Sequence, residues 1–224
     1  GGIAATSDPH DTCVFDRAPR LFGGRTAVAA ELAGRGPFYE WAWHAMRLGV
    51  WYGAVMPEGE AYWVIEENSI RARLQEQQGP GAFEAFLAEV RDHYDNLHLR
   101  EVFNDETQTV EFKVGFQTNA KSKGAAVGDL TRAMGAVWAR QNGEAAPDDA
   151  GYTERNAEAV QEMATYVYDG ATMEAAPKKR DDKVVTRAIG VHVDRVTERS
   201  PMGEPRWQLV KAPRVRHEAG MATF

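Results

Sequence analysis

The sequence predicts an α+β fold in which an antiparallel sheet with a long C-terminal hairpin is packed by about five or six helices. Two periodicities support this fold class. Apolar residues recur at helical spacing between Phe83 and Leu97, and they alternate with polar residues from Val110 to Gln117. Strands and helices do not alternate regularly, which argues against a parallel, doubly wound sheet.

The first half of the chain is predicted to be mostly helical after an extended N-terminal arm. Residues 1–25 show no sustained period and contain the turn-forming run Ser7-Asp8-Pro9, so we expect the arm there. Thr26 is a candidate N-cap for a short helix that ends near Gly34. The other elements predicted in this half are helices over 38–48, 69–78 and 83–97 and a buried strand over 62–65.

A hairpin and two helices are predicted in the middle of the chain. The turn Asn104-Asp105-Glu106 is expected to join strands over 97–103 and 110–116. The run Lys121-Ser122-Lys123-Gly124 is interpreted as a flexible loop, because it lacks the glycine and lysine order of a phosphate-binding loop. The helices that follow are predicted over 130–138 and 152–168.

The last third is predicted to form the long C-terminal hairpin. Val185, Ile189, Val191 and Val193 are expected to share one face of its first strand, and a second strand is expected over 207–211. The resulting division of the chain is an extended arm at 1–25, a single α+β domain at 26–212 and a C-terminal tail at 213–224.

Composition excludes several classes of protein. The 224 residues include one cysteine, Cys13, so no intrachain disulfide can form and the chain is not a disulfide-rich secreted scaffold. No run of apolar residues approaches the length of a membrane span, which favours a soluble protein without indicating its compartment. No catalytic, metal-binding or nucleotide-binding motif is present, so we predict no cofactor and no metal and favour a non-catalytic role.

Charge is unevenly distributed along the chain. The formal net charge is −7, yet residues 178–216 contain 11 Lys or Arg against 5 Asp or Glu, a local balance of +6. Residues 1–177 hold 15 against 27, a balance of −12. Because a polarised charge distribution steers a protein toward a complementary partner, we expect docking to other subunits or to copies of the chain itself.

The basic region is predicted to form a stripe on the C-terminal hairpin. Nucleic acid is one possible partner, but Trp207 is the only aromatic residue there that bases could stack on, and the whole chain is acidic. An acidic protein surface therefore fits the stripe better. The residues assigned to it are Arg187, Arg195, Arg199, Arg206, Lys211, Arg214 and Arg216.

Eight aromatic residues lie between Phe38 and Trp63, including four of the six tryptophans. Trp41 and Trp43 are two residues apart on a predicted helix, so they point to different sides and cannot both face one core layer. The segment is therefore predicted to be a core helix between layers, a partner interface or a small-molecule pocket. The residues assigned to the interface or pocket are Trp41, Trp43, His44, Trp51, Tyr52 and Trp63.

Histidines offer the remaining candidates for chemistry. His44 lies inside the aromatic segment, where burial would keep it neutral and able to act as a base. His93 and His98 are five residues apart, which does not match the spacing of a zinc-binding helix. His192 and Asp194 are expected to share a strand face, with a solvent-facing surface as the simpler interpretation.

The leading functional prediction is a non-catalytic assembly subunit of a larger complex, such as a virion or an organellar machine. The alternative rests on element order: helices, a strand, a helix and a long hairpin with a Trp near its end. This order resembles cone-shaped, nuclear-transport-factor-like folds. That resemblance implies a cone whose aromatic residues and His44 line a pocket for a small hydrophobic ligand. Nucleic-acid binding is the third hypothesis.

Overall fold

The computed structural model describes residues 2–5, 10–17, 26–34, 37–54, 61–144, 151–169, 172–176 and 181–198. The mixture of helix and strand is as predicted. The helices are α1 Phe38–Gly53, α2 Glu67–Gln78, α3 Ala82–His93, α4 Ala120–Gln141, α5 Ala157–Ala164 and α6 Asp182–Glu198. The strands are β1 Gly2–Ala5, β2 His10–Arg17, β3 Thr26–Gly34, β4 Tyr62–Ile65, β5 Leu99–Asn104, β6 Thr109–Val114, β7 Tyr152–Thr153, β8 Tyr166–Asp169 and β9 Thr172–Ala175.

Five strands form the central sheet in the order β4-β1-β2-β3-β7. The pairs β1–β2 and β2–β3 are antiparallel, whereas β4 and β7 join the two ends in parallel. Val14 lies opposite Ala30 and Phe15 opposite Val28, so Ala29 is an extra residue in β3. Such a β-bulge reverses which face the following side chains point to.

Two hydrophobic clusters lie on opposite faces of this sheet. Trp63 and Ile65 of β4 pack in the cluster formed by α1, α2 and α3, while Val64 packs in the cluster formed by α4 and α6. β3 also contributes side chains to both clusters. Because of the bulge at Ala29, Val28 contacts the second cluster, whereas Ala30 and Leu32 contact the first. Alternation along a strand therefore builds a three-layer arrangement of helices, sheet and helices.

The beginning of the chain differs from the prediction. β1 and β2 are paired strands of the central sheet, and not an arm separate from a domain that starts at residue 26. The short helix predicted after Thr26 is also wrong, because residues 26–34 form β3. β1 also pairs with β4 and β3 with β7, which are distant in sequence, and local patterns carry little information about such pairing.

The predicted C-terminal hairpin is wrong in its first strand. Residues 182–198 form helix α6, and the second predicted strand, 207–211, lies outside the described residues. Val185, Ile189 and Val193 are four residues apart, which is a helical spacing as well as an alternating one. Helix α6 packs against α4 and against the sheet, so packing overrides the strand preference of its valines.

Other predictions hold in part. The β5–β6 hairpin is antiparallel, as predicted, and its pairing extends to Asn104 opposite Thr109. Residues 121–124 are not a loop, because Asn119 and Ser122 form a reciprocal N-terminal cap that starts α4 at Ala120. The helix predicted over 152–168 is interrupted, and only residues 157–164 are helical.

Gly115 connects the hairpin to the central sheet and permits a direct test of this junction. Its φ is +100°, and a Cβ added there would lie 2.8 Å from the carbonyl oxygen of Ile65. We expect Gly115→Ala to lower the free energy of unfolding by about 2 kcal/mol, because both the backbone conformation and the contact become strained. The measurement is urea unfolding followed by circular dichroism.

The matched control for this substitution is Gly135→Ala. Gly135 lies within α4 and a Cβ there meets nothing within 4 Å. This control should raise stability by about 0.5–1 kcal/mol, because alanine favours the helix. Equal stability of the two variants would contradict the close contact at Gly115.

Candidate protein-docking surface

Helix α1 has a buried face and an exposed face. Pro37 precedes its first residue, and its fixed φ is compatible with a helix start. The buried residues recur at helical spacing and are Phe38, Trp41, Ala42, Ala45, Met46, Gly49 and Gly53. As predicted from their spacing, Trp41 is only 6% exposed and Trp43 is 37% exposed.

Aromatic contacts fix the position of α1 in the first layer. The ring of Phe38 lies 5.0 Å from that of Phe86 on α3 in an edge-to-face geometry and 5.4 Å from that of Trp41. The ring centroids of Trp63 and Tyr94, in the same cluster, lie 5.3 Å apart. Because Phe38 and Trp41 of α1 are both core residues, this side of the helix is anchored and its other side is turned outward.

The exposed side of α1 carries a row of large side chains that we call the α1 face: Trp43, His44, Arg47, Val50 and Trp51. Trp51 is 75% exposed and Val50 is 45% exposed. Trp43, Arg47 and Trp51 are successive at four-residue spacing, so they form one ridge along the helix. The ring of Trp43 also packs against the ring of His93 on α3, with centroids 4.7 Å apart.

Arg47 places a positive charge at the middle of the α1 face, and Glu40 is exposed nearer the start of the same helix. In the part of the chain that the structure describes, Arg47 forms no salt bridge within 4.0 Å. An arginine between two exposed tryptophans is a composition enriched in protein interfaces, where its guanidinium pairs with a carboxylate and the indoles bury apolar area.

The structure divides the six residues assigned from sequence to an interface or pocket. Trp41 and Trp63 lie in the core, whereas Trp43, His44 and Trp51 are on the α1 face. Tyr52 is half-buried at the core edge, and its hydroxyl donates to the carbonyl oxygen of Ala29 at 3.5 Å. These six side chains therefore do not converge on one pocket, which removes the geometric basis of the cone-like alternative.

The basic stripe predicted from sequence is also corrected. Arg187 is fully buried, and its guanidinium contacts the carboxylates of Glu31, at 2.7 Å, and Glu154. Arg195 is mostly buried and lies 3.5 Å from Asp129. Neither residue contributes to an exposed basic surface. The other stripe residues, Arg199, Arg206, Lys211, Arg214 and Arg216, lie outside the described residues.

Part of the uneven charge distribution along the sequence is neutralised inside the folded protein, by ion pairs around Arg187. Lys183 on α6 also contacts Glu31, so two cations of the basic region are matched by two carboxylates of the acidic region. Burial alone would raise the pKa of Glu31, but the hydrogen bonds and charges of Lys183 and Arg187 outweigh it and lower this pKa. The opposite charges thus hold α6 to the sheet within the molecule.

The bulge in β3 positions one of these carboxylates. Because Ala30 and Leu32 point toward the first cluster, Glu31 between them points to the other face of the sheet, toward α6. Asn156 donates a hydrogen bond to the same carboxylate at 2.6 Å. The sequence contained the acidic residue but no signal for the bulge that directs it.

A second polar cluster lies where β4, the hairpin base and α6 meet. The hydroxyl of Tyr62 is hydrogen-bonded to Nδ1 of His98, at 3.0 Å. Burial lowers the pKa of His98 to about 4, with the nearby charges of His192 and Arg100 acting in the same direction. Burial likewise raises the pKa of Tyr62 to about 12.

His192 has a different partner from the one its spacing suggested. Because residues 182–198 are helical, His192 and Asp194 do not share a strand face. Instead Nδ1 of His192 donates to Asp129 on α4 at 2.7 Å, and Arg132 contacts the other oxygen of that carboxylate at 2.9 Å. This pairing joins α4 to α6 and was invisible in the sequence, because the residues are far apart along the chain.

Comparison with known proteins provides no family assignment. No family model matches the chain, and no curated protein and no solved structure shows significant similarity to it. Among the described residues, no helix is long and apolar enough to cross a membrane. Nor do these residues contain a group of three His, Cys, Asp or Glu side chains arranged to hold a metal ion.

Proposed function

We propose that this protein is a non-catalytic assembly subunit that docks onto a partner protein through the α1 face. The observation that carries the proposal is the 75% exposure of Trp51 on a helix whose opposite side is anchored in the core. Exposed tryptophans beside an arginine are the side chains that contribute most to binding in protein interfaces. The proposal now depends on α1 and no longer on a basic C-terminal hairpin.

The shape and charge of the α1 face favour one kind of partner. A ridge at four-residue spacing packs best into the groove between ridges of another helix. Arg47 lies at the middle of that ridge, with Trp43 and Trp51 on either side. A partner helix that presents apolar side chains around one Asp or Glu would therefore cover both indoles and pair with Arg47.

The experiment compares how the tagged wild-type chain and its single-residue variants sediment in an extract of the natural source. The wild-type chain should migrate in a complex larger than two copies of its own 24.8 kDa. Trp51→Ala should weaken this association about 30-fold, as expected of a central interface residue. Arg47→Glu should also release the chain, because it would place like charges opposite each other.

Trp138→Ala is the matched control. Trp138 is 59% exposed on α4, in a different part of the molecule, so its removal tests whether any exposed indole has the same effect. This variant should sediment like the wild-type chain. Identical behaviour of Trp51→Ala, Trp138→Ala and the wild-type chain would refute docking through the α1 face.

A further inference from the structure

The β5–β6 hairpin is a two-stranded sheet with one exposed face that is apolar except for Glu101, which lies opposite Phe112. Among the described residues, no third strand pairs with residues 99–104 or 109–114, although Phe116 just beyond β6 is hydrogen-bonded to the backbone of Ile65 and Glu67. Phe103, Val110 and Phe112 share this face and are 55%, 52% and 49% exposed, whereas Val114 at the hairpin base is buried. An exposed strand with apolar side chains and unpaired edge groups is a template for pairing with another strand.

Hydrogen bonding shows which backbone groups are directed outward from β6. Gly115 donates its N–H to the carbonyl of His98 at 2.9 Å, in line with the register that places Leu99 opposite Val114. Because hydrogen-bonded pairs alternate in an antiparallel ladder, Glu111 and Lys113 use their backbone groups toward β5. The N–H and C=O groups of Val110 and Phe112 therefore point out of the free edge.

One register makes this edge complementary to itself. In an antiparallel pair centred on Phe112, the two Phe112 residues lie opposite each other, and the outward backbone groups of both strands meet. Glu111 of each copy then lies opposite Lys113 of the other, and Val110 lies opposite Val114. Centring the pair on Glu111 or on Lys113 would instead place like charges opposite each other.

We propose that two copies of the chain pair through β6, with Phe112 at the two-fold axis, to form a four-stranded antiparallel sheet. We assign a second copy of the chain to this edge because β6 is complementary to itself in this register. Opposite charges face each other, the two Phe112 rings meet, and the outward N–H and C=O groups of the two strands can form hydrogen bonds. The inference is independent of the α1 face, since the two surfaces have no residue in common.

Charge exchange tests this pairing. Sedimentation velocity of the full chain should show a dimer at about 100 µM that dissociates on dilution, as expected for a small interface. Glu111→Lys alone and Lys113→Glu alone should each weaken dimerisation at least about tenfold, because each creates two like-charge pairs. The double variant should restore the dimer, because it exchanges both members of each pair.

Each result either supports or overturns the proposal. A wild-type chain that is monomeric at about 100 µM, single variants that dimerise as well as the wild type, or a double variant that stays monomeric would overturn it. Trp51→Ala should leave the dimer intact, and dissociation of the dimer by this variant would assign the contact to the α1 face instead. Circular dichroism of every variant confirms that the chain is folded.

Discussion

Replacing Arg187 with alanine should lower the free energy of unfolding by about 3–5 kcal/mol, because it leaves buried carboxylates without their partner. Arg187 is fully enclosed, and its contacts to Glu31 and Glu154 connect α6 to β3 and to the segment after β7. The measurement is urea unfolding at neutral pH. Arg187→Lys should lose less stability, because it keeps the charge while losing the two-sided geometry of the guanidinium.

The pH dependence of this loss separates charge from packing. In the wild-type protein the pKa of Glu31 is lowered, so the stability this group contributes is present at neutral pH and is lost as pH falls. Without Arg187 the pKa of Glu31 should rise. The difference between wild type and Arg187→Ala should therefore shrink on acidification, whereas a difference that is constant with pH would indicate only a cavity.

An exposed arginine provides the control for this prediction. Arg132 on α4 pairs with Asp129 at 2.9 Å, and its side chain is 52% exposed. Because exposed ion pairs are screened by water, Arg132→Ala should change stability by less than about 1 kcal/mol. If Arg132→Ala and Arg187→Ala cost the same, the buried ionic network does not have the role assigned to it.

Acidification from pH 6.5 to pH 4 should cost about 3 kcal/mol of stability through His98 alone, because its pKa falls from 6.5 to about 4 on folding. The unfolded chain binds the proton more tightly, so the contribution of His98 is present above its unfolded pKa and is lost as pH falls through the folded value. Protonation makes Nδ1 a donor only, so the Tyr62 hydroxyl must then accept in this hydrogen bond.

The measurement is the free energy of unfolding as a function of pH for the wild type and for His98→Gln. The variant should show a flatter curve between pH 4 and pH 6.5, whatever its absolute stability. His44→Gln, at an exposed histidine of the α1 face, is the control for the substitution itself. An unchanged slope in His98→Gln would contradict the burial of a neutral imidazole at this position.

Local patterns were sufficient where an element is defined by its own residues. The two sides of α1 follow from the spacing of Trp41 and Trp43, and the β5–β6 hairpin follows from alternation around the turn at Asn104. Helix α6 was not predicted because its valines favour a strand locally. Its helical spacing becomes decisive only when the segment packs against α4 and the sheet.

The candidate sites depended even more on distant contacts. The sequence singled out Trp43 and Trp51 together with core residues such as Trp63, because aromatic content does not show which side of an element is covered. It assigned Arg187 to a surface stripe, because the carboxylate of Glu31 lies 156 residues away along the chain and is directed by the bulge at Ala29. A long-range ion pair of this kind leaves no local signal.

The most direct test of the α1 face is hydroxyl-radical footprinting of Trp51, read by mass spectrometry, in the purified chain and in an extract of the natural source. The account predicts strong labelling of Trp51 in the purified chain and protection in the extract, while Trp138 is labelled in both. Equal labelling of Trp51 in the two samples would contradict docking through this helix.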